Sequence, residues 1–264
     1  MIKEKQKIIV VLGPTASGKS EMAVRLAKEF GGEVVSADSR QVYRGMDVGT
    51  GKVPMDKNSK SEFKIQKDSY YYRGIPHYLI DVASPRRSFS VERYKKLAGK
   101  AVRDILKRGK VPIVCGGTGF YIDALIYDRK LPEVPPQSDL RRKLERCSVE
   151  ELFSRLLKLD PDRAENIEQK NKRRLIRALE IVITSGESVP QLSTSQVDNF
   201  DVLKIGIDVS REELRKKIDR RFKGWLREGL LGGFFSKSWR RSRIRKSVMP
   251  AAFSAVWMVR RKPL

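Results

Sequence analysis

Apolar positions along the chain alternate between two rhythms. Ile8-Ile9-Val10-Val11-Leu12 is an unbroken apolar run closed by Gly13-Pro14, the pattern of a strand covered on both faces in a parallel sheet. From Lys19 to Phe30 the apolar residues fall at Met22, Ala23, Leu26, Ala27 and Phe30, a helical spacing that Gly31-Gly32 ends. Further strands are predicted over Glu33–Ala37, Tyr78–Val82 and Val111–Cys115, with a helix over Val91–Lys107 before the last of them. Strands alternating with helices predict an α/β fold, a parallel sheet with right-handed crossovers and helices on both faces. Between them Gly49–Gly74, polar, lysine-rich and ending in Tyr70-Tyr71-Tyr72, reads as a surface excursion packing on its own domain.

The rhythm changes at Leu131-Pro132-Glu133-Val134-Pro135-Pro136. Helices are predicted over Ser138–Arg146, Val149–Leu159, Pro161–Ile167 and Lys172–Thr184, the last ending near Gly186. Val202–Val209 then alternates as a strand, and Ser210 is placed to cap a helix running to about Glu228. The organisation expected is a core over 1–130, a small inserted helical domain over 131–200, a return to the core over 201–231, and a tail over 232–264.

Composition narrows the class of function. The chain has 264 residues, 40% of them hydrophobic and 33% charged, too apolar for a disordered segment and without the run of about 18 apolar residues that a membrane helix needs. The N-terminus lacks the pattern of a signal peptide, so a cytoplasmic protein without membrane contact is expected. Cys115 and Cys147 are the only cysteines and His77 the only histidine, too few for a disulfide framework or a zinc site. Lys and Arg number 56 against 32 Asp and Glu, a formal charge of +24, which points to a polyanionic partner such as nucleic acid.

Three segments carry chemistry. Gly13-Pro14-Thr15-Ala16-Ser17-Gly18-Lys19-Ser20 fits G-x-x-x-x-G-K-[ST] between a buried strand and a helix. Backbone N–H groups of such a loop wrap a diphosphate, Lys19 bridges its oxygens, and the Ser20 hydroxyl is a ligand for Mg²⁺. The strand that follows ends at Asp38, which the sheet should bring beside the loop; there it could accept a proton, hold Mg²⁺ through water, or cap its own turn. The strand before Gly116-Gly117-Thr118-Gly119 puts Thr118 at the same edge, as a hydrogen-bond donor into the cleft or as part of a plain turn. His77, ahead of an apolar strand, reads as structural.

Together GPTASGKS, DSRQVYRGMDVGTGK, PHYLIDV, GGTGFY and RRLIRALEI, in that order over about Ile8–Leu230, resemble the tRNA dimethylallyltransferases, also called isopentenyl-tRNA (IPP) transferases. The resemblance implies a P-loop NTPase-like parallel sheet flanked by helices, and transfer of a dimethylallyl group from dimethylallyl diphosphate, with Mg²⁺, to adenine N6 beside the tRNA anticodon. It implies that Gly13 to Ser20 hold the diphosphate, that Asp38 is the general base, and that Thr118 lies at the reacting centre. Ser39, Arg40, Gln41, Arg141, Arg173, Arg174 and Arg177 match positions that touch tRNA, and a monomer is expected. The chemistry is consistent: diphosphate leaves readily once neutralised, an exocyclic amine needs a base, and N6 is reached with the adenine out of the stack.

The resemblance ends after Leu231. Gly232–Leu264 has nine basic residues, no acidic one and two of the three tryptophans, and offers no match to the family's late arginine that contacts the diphosphate. A shifted reading frame is one reading; a basic tail adding tRNA affinity is another. Two further readings of the chain stay open, a P-loop nucleoside or metabolite kinase with an arginine-rich lid, and a tRNA-binding chain that has lost catalysis.

Overall fold

The computed structural model describes residues 6–56, 70–127, 132–190 and 200–228. The chain divides into two compact units, with breaks between Tyr127 and Asp128 and between Ser195 and Gln196. The first unit holds one sheet of six strands, β1 (Gln6–Leu12), β2 (Glu33–Ser36), β3 (Tyr70–Tyr72), β4 (Ile75–Tyr78), β5 (Pro112–Gly116) and β6 (Phe200–Gly206), in the order β3-β4-β2-β5-β1-β6. Four pairings are parallel, and β3 against β4 is antiparallel.

The sheet is thus mixed where a parallel one was expected. Arg73 and Gly74, at φ 54° and 76°, make a two-residue turn whose twist suits an antiparallel hairpin, so the tyrosine triplet becomes an edge strand, with Tyr70 buried. The strand expected over Tyr78–Val82 lies earlier, at Ile75–Tyr78. Leu79 and Asp81 take φ of 63° and 58°, which ends a strand. The segment after them turns to the 41–43 loop instead, through Asp81 N–H to Gln41 O at 3.0 Å and Ala83 N–H to Val42 O at 2.8 Å.

Helices α1 (Lys19–Glu29), α2 (Val91–Lys107) and α3 (Gly119–Ile126) cover the sheet. Because strand residues alternate, Val10, Val35 and Val114 face α2 and α3, while Ile9, Val11, Val34 and Ile113 face α1. Tyr94 of α2 and Tyr121 of α3 stack in the first layer, ring centroids 4.1 Å apart. Below the sheet, the buried Glu33 carboxylate takes both terminal nitrogens of Arg108 at 2.6 Å, Lys110 Nζ at 2.7 Å and Tyr78 Oη at 2.7 Å. Those donors hold its pKa down at about 2 against burial, which acts the other way.

The second unit is helical: α4 (Ser138–Leu144), α5 (Val149–Leu159), α6 (Pro161–Glu165) and α7 (Lys172–Ser185) enclose Leu144, Leu152, Leu156, Leu175 and Leu179. Ser148 and Glu151 form a reciprocal capping box at the start of α5. The chain then supplies β6 beside β1 and helix α8 (Arg211–Arg227), capped by Ser210, whose side chain accepts from Glu213 N–H.

Candidate functional site: a phosphate-loop cleft

The C-terminal ends of β1, β2 and β5 open on a cleft of about 320 Å³, at the edge where an α/β sheet offers backbone amides and loop residues to a ligand. Thr15, Ala16, Gly18, Lys19 and Ser20 of the phosphate loop form its floor. Gly18 stands at φ 98°, a conformation costly for any residue with a Cβ, and α1 starts directly after it with no side-chain cap. The first turn of the helix closes with Met22 N–H to Gly18 O at 3.1 Å, so the Lys19 and Ser20 amides point forward as a ready anion site on the positive end of the helix dipole. Lys19 Nζ donates to Pro14 O at 2.6 Å, a bond across the loop that aims the ammonium along its rim. Ser17 Oγ is buried and without a hydrogen-bond partner among the described residues.

Asp38 follows β2. Its Oδ1 accepts from the Arg40 N–H at 2.8 Å and, more weakly, from the Gln41 N–H at 3.4 Å. The turn-capping reading of Asp38 is therefore present, yet it engages one oxygen; Oδ2 has no hydrogen bond among the described residues, and Asp38 lines the cleft. Thr118 accepts the Ser39 N–H on Oγ1 at 3.0 Å, and its own N–H reaches Ala37 O at 3.1 Å. That close approach needs a glycine, because a Cβ on Gly116 would stand 2.1 Å from Ala37 O. Gln41 links Ser36 Oγ at 3.2 Å to Gly51 O at 3.1 Å, and so fastens the 41–51 loop to the end of β2.

Lys19, Asp38 and Cys115 share one field. Burial pulls the Lys19 ammonium below its ordinary pKa, the Asp38 carboxylate pulls it back up, and Arg221 pushes it further down. Burial also pushes the Cys115 thiol up to about 12, so it stays protonated and serves as wall. Lys52, the last residue of the DSRQVYRGMDVGTGK segment, is 3% exposed and holds Tyr43 O at 2.7 Å, Asp47 at 2.9 Å and Asp81; it ties the loop down. Reasoning from the sequence set Tyr72 aside as packing on its own domain and passed over Arg221 and Trp225, yet all three line the cleft. The signal for the last two is the strand order: β6 beside β1 delivers α8, whose second half carries Arg221 and Trp225, to the cleft. Arg221 Nη1 is 3.0 Å from where a Gly51 Cβ would lie.

The arginines of the insertion divide in two. Arg141 clamps the fully buried Glu180 carboxylate, Nε at 2.7 Å and Nη2 at 2.6 Å, and Arg177 adds Nη1 at 2.6 Å and reaches Val134 O at 3.0 Å. These contacts keep Glu180 ionised below the usual carboxylate range, against burial. Arg173 and Arg174 are exposed, Arg174 with a loose pair to Glu168 at 3.4 Å. His77 is buried, Nδ1 at 2.9 Å from Ile75 O. Gly232–Leu264 and the middle of the lysine-rich excursion lie outside the described residues. No helix among the described residues is long and apolar enough to cross a membrane.

Two family models match the chain, "IPP transferase" over residues 41–235 and "Isopentenyl transferase" over 6–71. The chain belongs to the IPP transferase family. Its sequence is 40% identical over 228 residues to the tRNA dimethylallyltransferase of Anoxybacillus flavithermus, 86% of this chain and 69% of that one, and 40% identical over 240 residues to that of Staphylococcus carnosus, 88% and 72%. The solved tRNA isopentenylpyrophosphate transferase of Bacillus halodurans superposes with a TM-score of 0.61 at 35% identity, covering 97% of this chain and 77% of that one. A eukaryotic dimethylallyltransferase solved acting on tRNA gives 0.64 at 30% identity, over 86% and 54%.

Proposed function

We propose that this chain transfers a dimethylallyl group from dimethylallyl diphosphate to the exocyclic N6 of an adenosine in tRNA, in the cytoplasm and as a monomer. The observation that carries the reading is the meeting of the phosphate loop, Asp38 and Thr118 at one sheet edge in a chain of this family. Gly13 to Ser20 hold the donor's diphosphate through backbone amides, with Lys19 and Arg221 neutralising charge that grows as the carbon–oxygen bond breaks. Asp38 accepts the N6 proton on Oδ2 while Oδ1 keeps the turn in place. Thr118 positions Ser39, which with Arg40 and Gln41 forms the wall nearest the incoming base. Arg173 and Arg174 offer exposed charge to tRNA phosphates; Arg141 and Arg177 act on their own unit through Glu180. The Ser20 hydroxyl is a hard oxygen donor beside the diphosphate site, which suits Mg²⁺ with water and phosphate completing its shell. When bound, the ion would add positive charge at the leaving group.

Labelled dimethylallyl diphosphate, Mg²⁺ and a tRNA with adenosine after its anticodon test this reading. Asp38→Asn keeps an oxygen to cap the turn and puts an NH₂ group where the base was, so transfer should fall about 10²–10⁴-fold while donor and tRNA binding persist. Undiminished transfer by Asp38→Asn would remove Asp38 as base. Phosphate transfer from ATP to a nucleoside, with no prenyl transfer by the unaltered chain, would establish the kinase instead.

A further inference from the structure

We propose that the outer face of helix α2 is a track for the tRNA backbone leading away from the cleft. The inference rests on tRNA being the substrate, as argued above, and concerns a surface in the first unit that none of the motifs includes.

Five basic residues, Arg93, Lys96, Lys100, Arg103 and Lys107, follow one another along α2 at steps of three or four, and all are exposed. At 100° per residue they occupy about 80° of arc, and at 1.5 Å per residue the row is about 21 Å long. None pairs with a carboxylate among the described residues. The acids on this side of the helix are Glu92, in the first turn, and Asp104, whose Oδ2 is taken by Arg108 Nε at 2.9 Å. Five like charges in a row with no carboxylates set between them repel one another, and a polyanion removes that cost by replacing condensed counterions.

Topology places the row. α2 joins β4 to β5, which are both parallel to β2, so the helix runs against the strands and starts at the edge where the cleft opens. The start is anchored there: Phe89 N–H donates to Tyr43 Oη at 3.2 Å, and the Arg93 guanidinium lies 5.3 Å from the Phe89 ring centre. The row therefore begins beside the segment that follows Asp38 and leads away from it. The apolar face of α2, Tyr94, Ala98, Ala101, Val102 and Ile105, is buried in the core, which leaves nothing to insert into a lipid surface and favours RNA.

The test compares tRNA binding and transfer by the unaltered chain, the triple variant Lys96→Gln/Lys100→Gln/Arg103→Gln, and a control with equal charge loss on the opposite layer and sheet end, Lys7→Gln/Arg25→Gln/Lys28→Gln. The α2 variant is expected to bind tRNA roughly tenfold more weakly at low salt and to lower the slope of log affinity against log salt by about 2. Its KM for the prenyl donor and its melting temperature should stay unchanged, and the control should bind as the unaltered chain does. Equal affinity and slope for the α2 variant and the unaltered chain would overturn the track, as would the same loss in the control. So would a loss confined to vesicles of anionic lipid with tRNA binding intact. A chain that binds no tRNA before any substitution would instead overturn the substrate reading.

Discussion

Cations do different work in the two units. In the cleft Lys19 and Arg221 face open volume, with no carboxylate in ion-pair contact among the described residues, while in the insertion Arg141 and Arg177 close on the buried Glu180. An unpaired cation beside free backbone amides has charge to give a ligand; a cation spent on a buried acid holds helices together. Arginines that look alike in a motif thus separate by their partners: the RRLIRALEI helix contributes both kinds, Arg173 and Arg174 outward and Arg177 inward.

The sharpest break would come at Lys19. Lys19→Ala should cut prenyl transfer about 10²–10³-fold in single-turnover assays, with a melting temperature like that of the unaltered chain; a stable protein with full activity would place the leaving-group charge elsewhere. On the other side, Glu180→Ala should cost about 3 kcal/mol of stability, near the low end for a broken buried pair because its arginines can reach water. Urea unfolding measures it, and transfer by the folded fraction at low temperature should be retained. Loss of activity without loss of stability would move Glu180 into the site.

Acid offers a smaller separation. Glu33 has its folded pKa near 2 against an ordinary 4.5, so its stabilisation is present above about pH 4.5 and is lost as pH falls toward 2, at most ~3 kcal/mol. His77, whose pKa burial lowers below 6.5, likewise stabilises the neutral form above that pH and less below it. Urea midpoints should therefore start to fall just below pH 6.5 and fall further below 4.5, with the first step absent in His77→Gln. The smallest effects belong to Arg173→Ala and Arg174→Ala: each should leave stability within about 0.5 kcal/mol and reduce the salt slope of tRNA binding by about 1.

Local rhythm made most of the fold legible. Val91–Lys107 and Val149–Leu159 emerge with the bounds their spacing predicts, since each has a Ser cap, an acidic first turn and one apolar face. The phosphate loop and Asp38 were legible because their order along the chain is also their order at the sheet edge. Less legible were features set by long-range pairing. The β3–β4 hairpin turns on Arg73-Gly74, a weak signal beside Asn-Gly, and α3 is eight residues, apolar nearly all round, with no single apolar face to mark it as a helix. Arg221 and Trp225 join the cleft only because β6 adds beside β1, some two hundred residues from it in the chain. Nor could spacing show that Arg141, four residues into α4's neighbourhood, would spend its guanidinium on Glu180.

Gly116 has a consequence for how this cleft can change. With Ala37 O 2.1 Å from where its Cβ would be, the two strand ends that carry Asp38 and Thr118 meet backbone on backbone, with no side chain between them to lengthen or shorten. The gap across the site is a fixed tolerance. Variation in Tyr72, Val53 or Trp225 can reshape the walls around a substrate, but the distance between the two halves of the floor is not available as a variable.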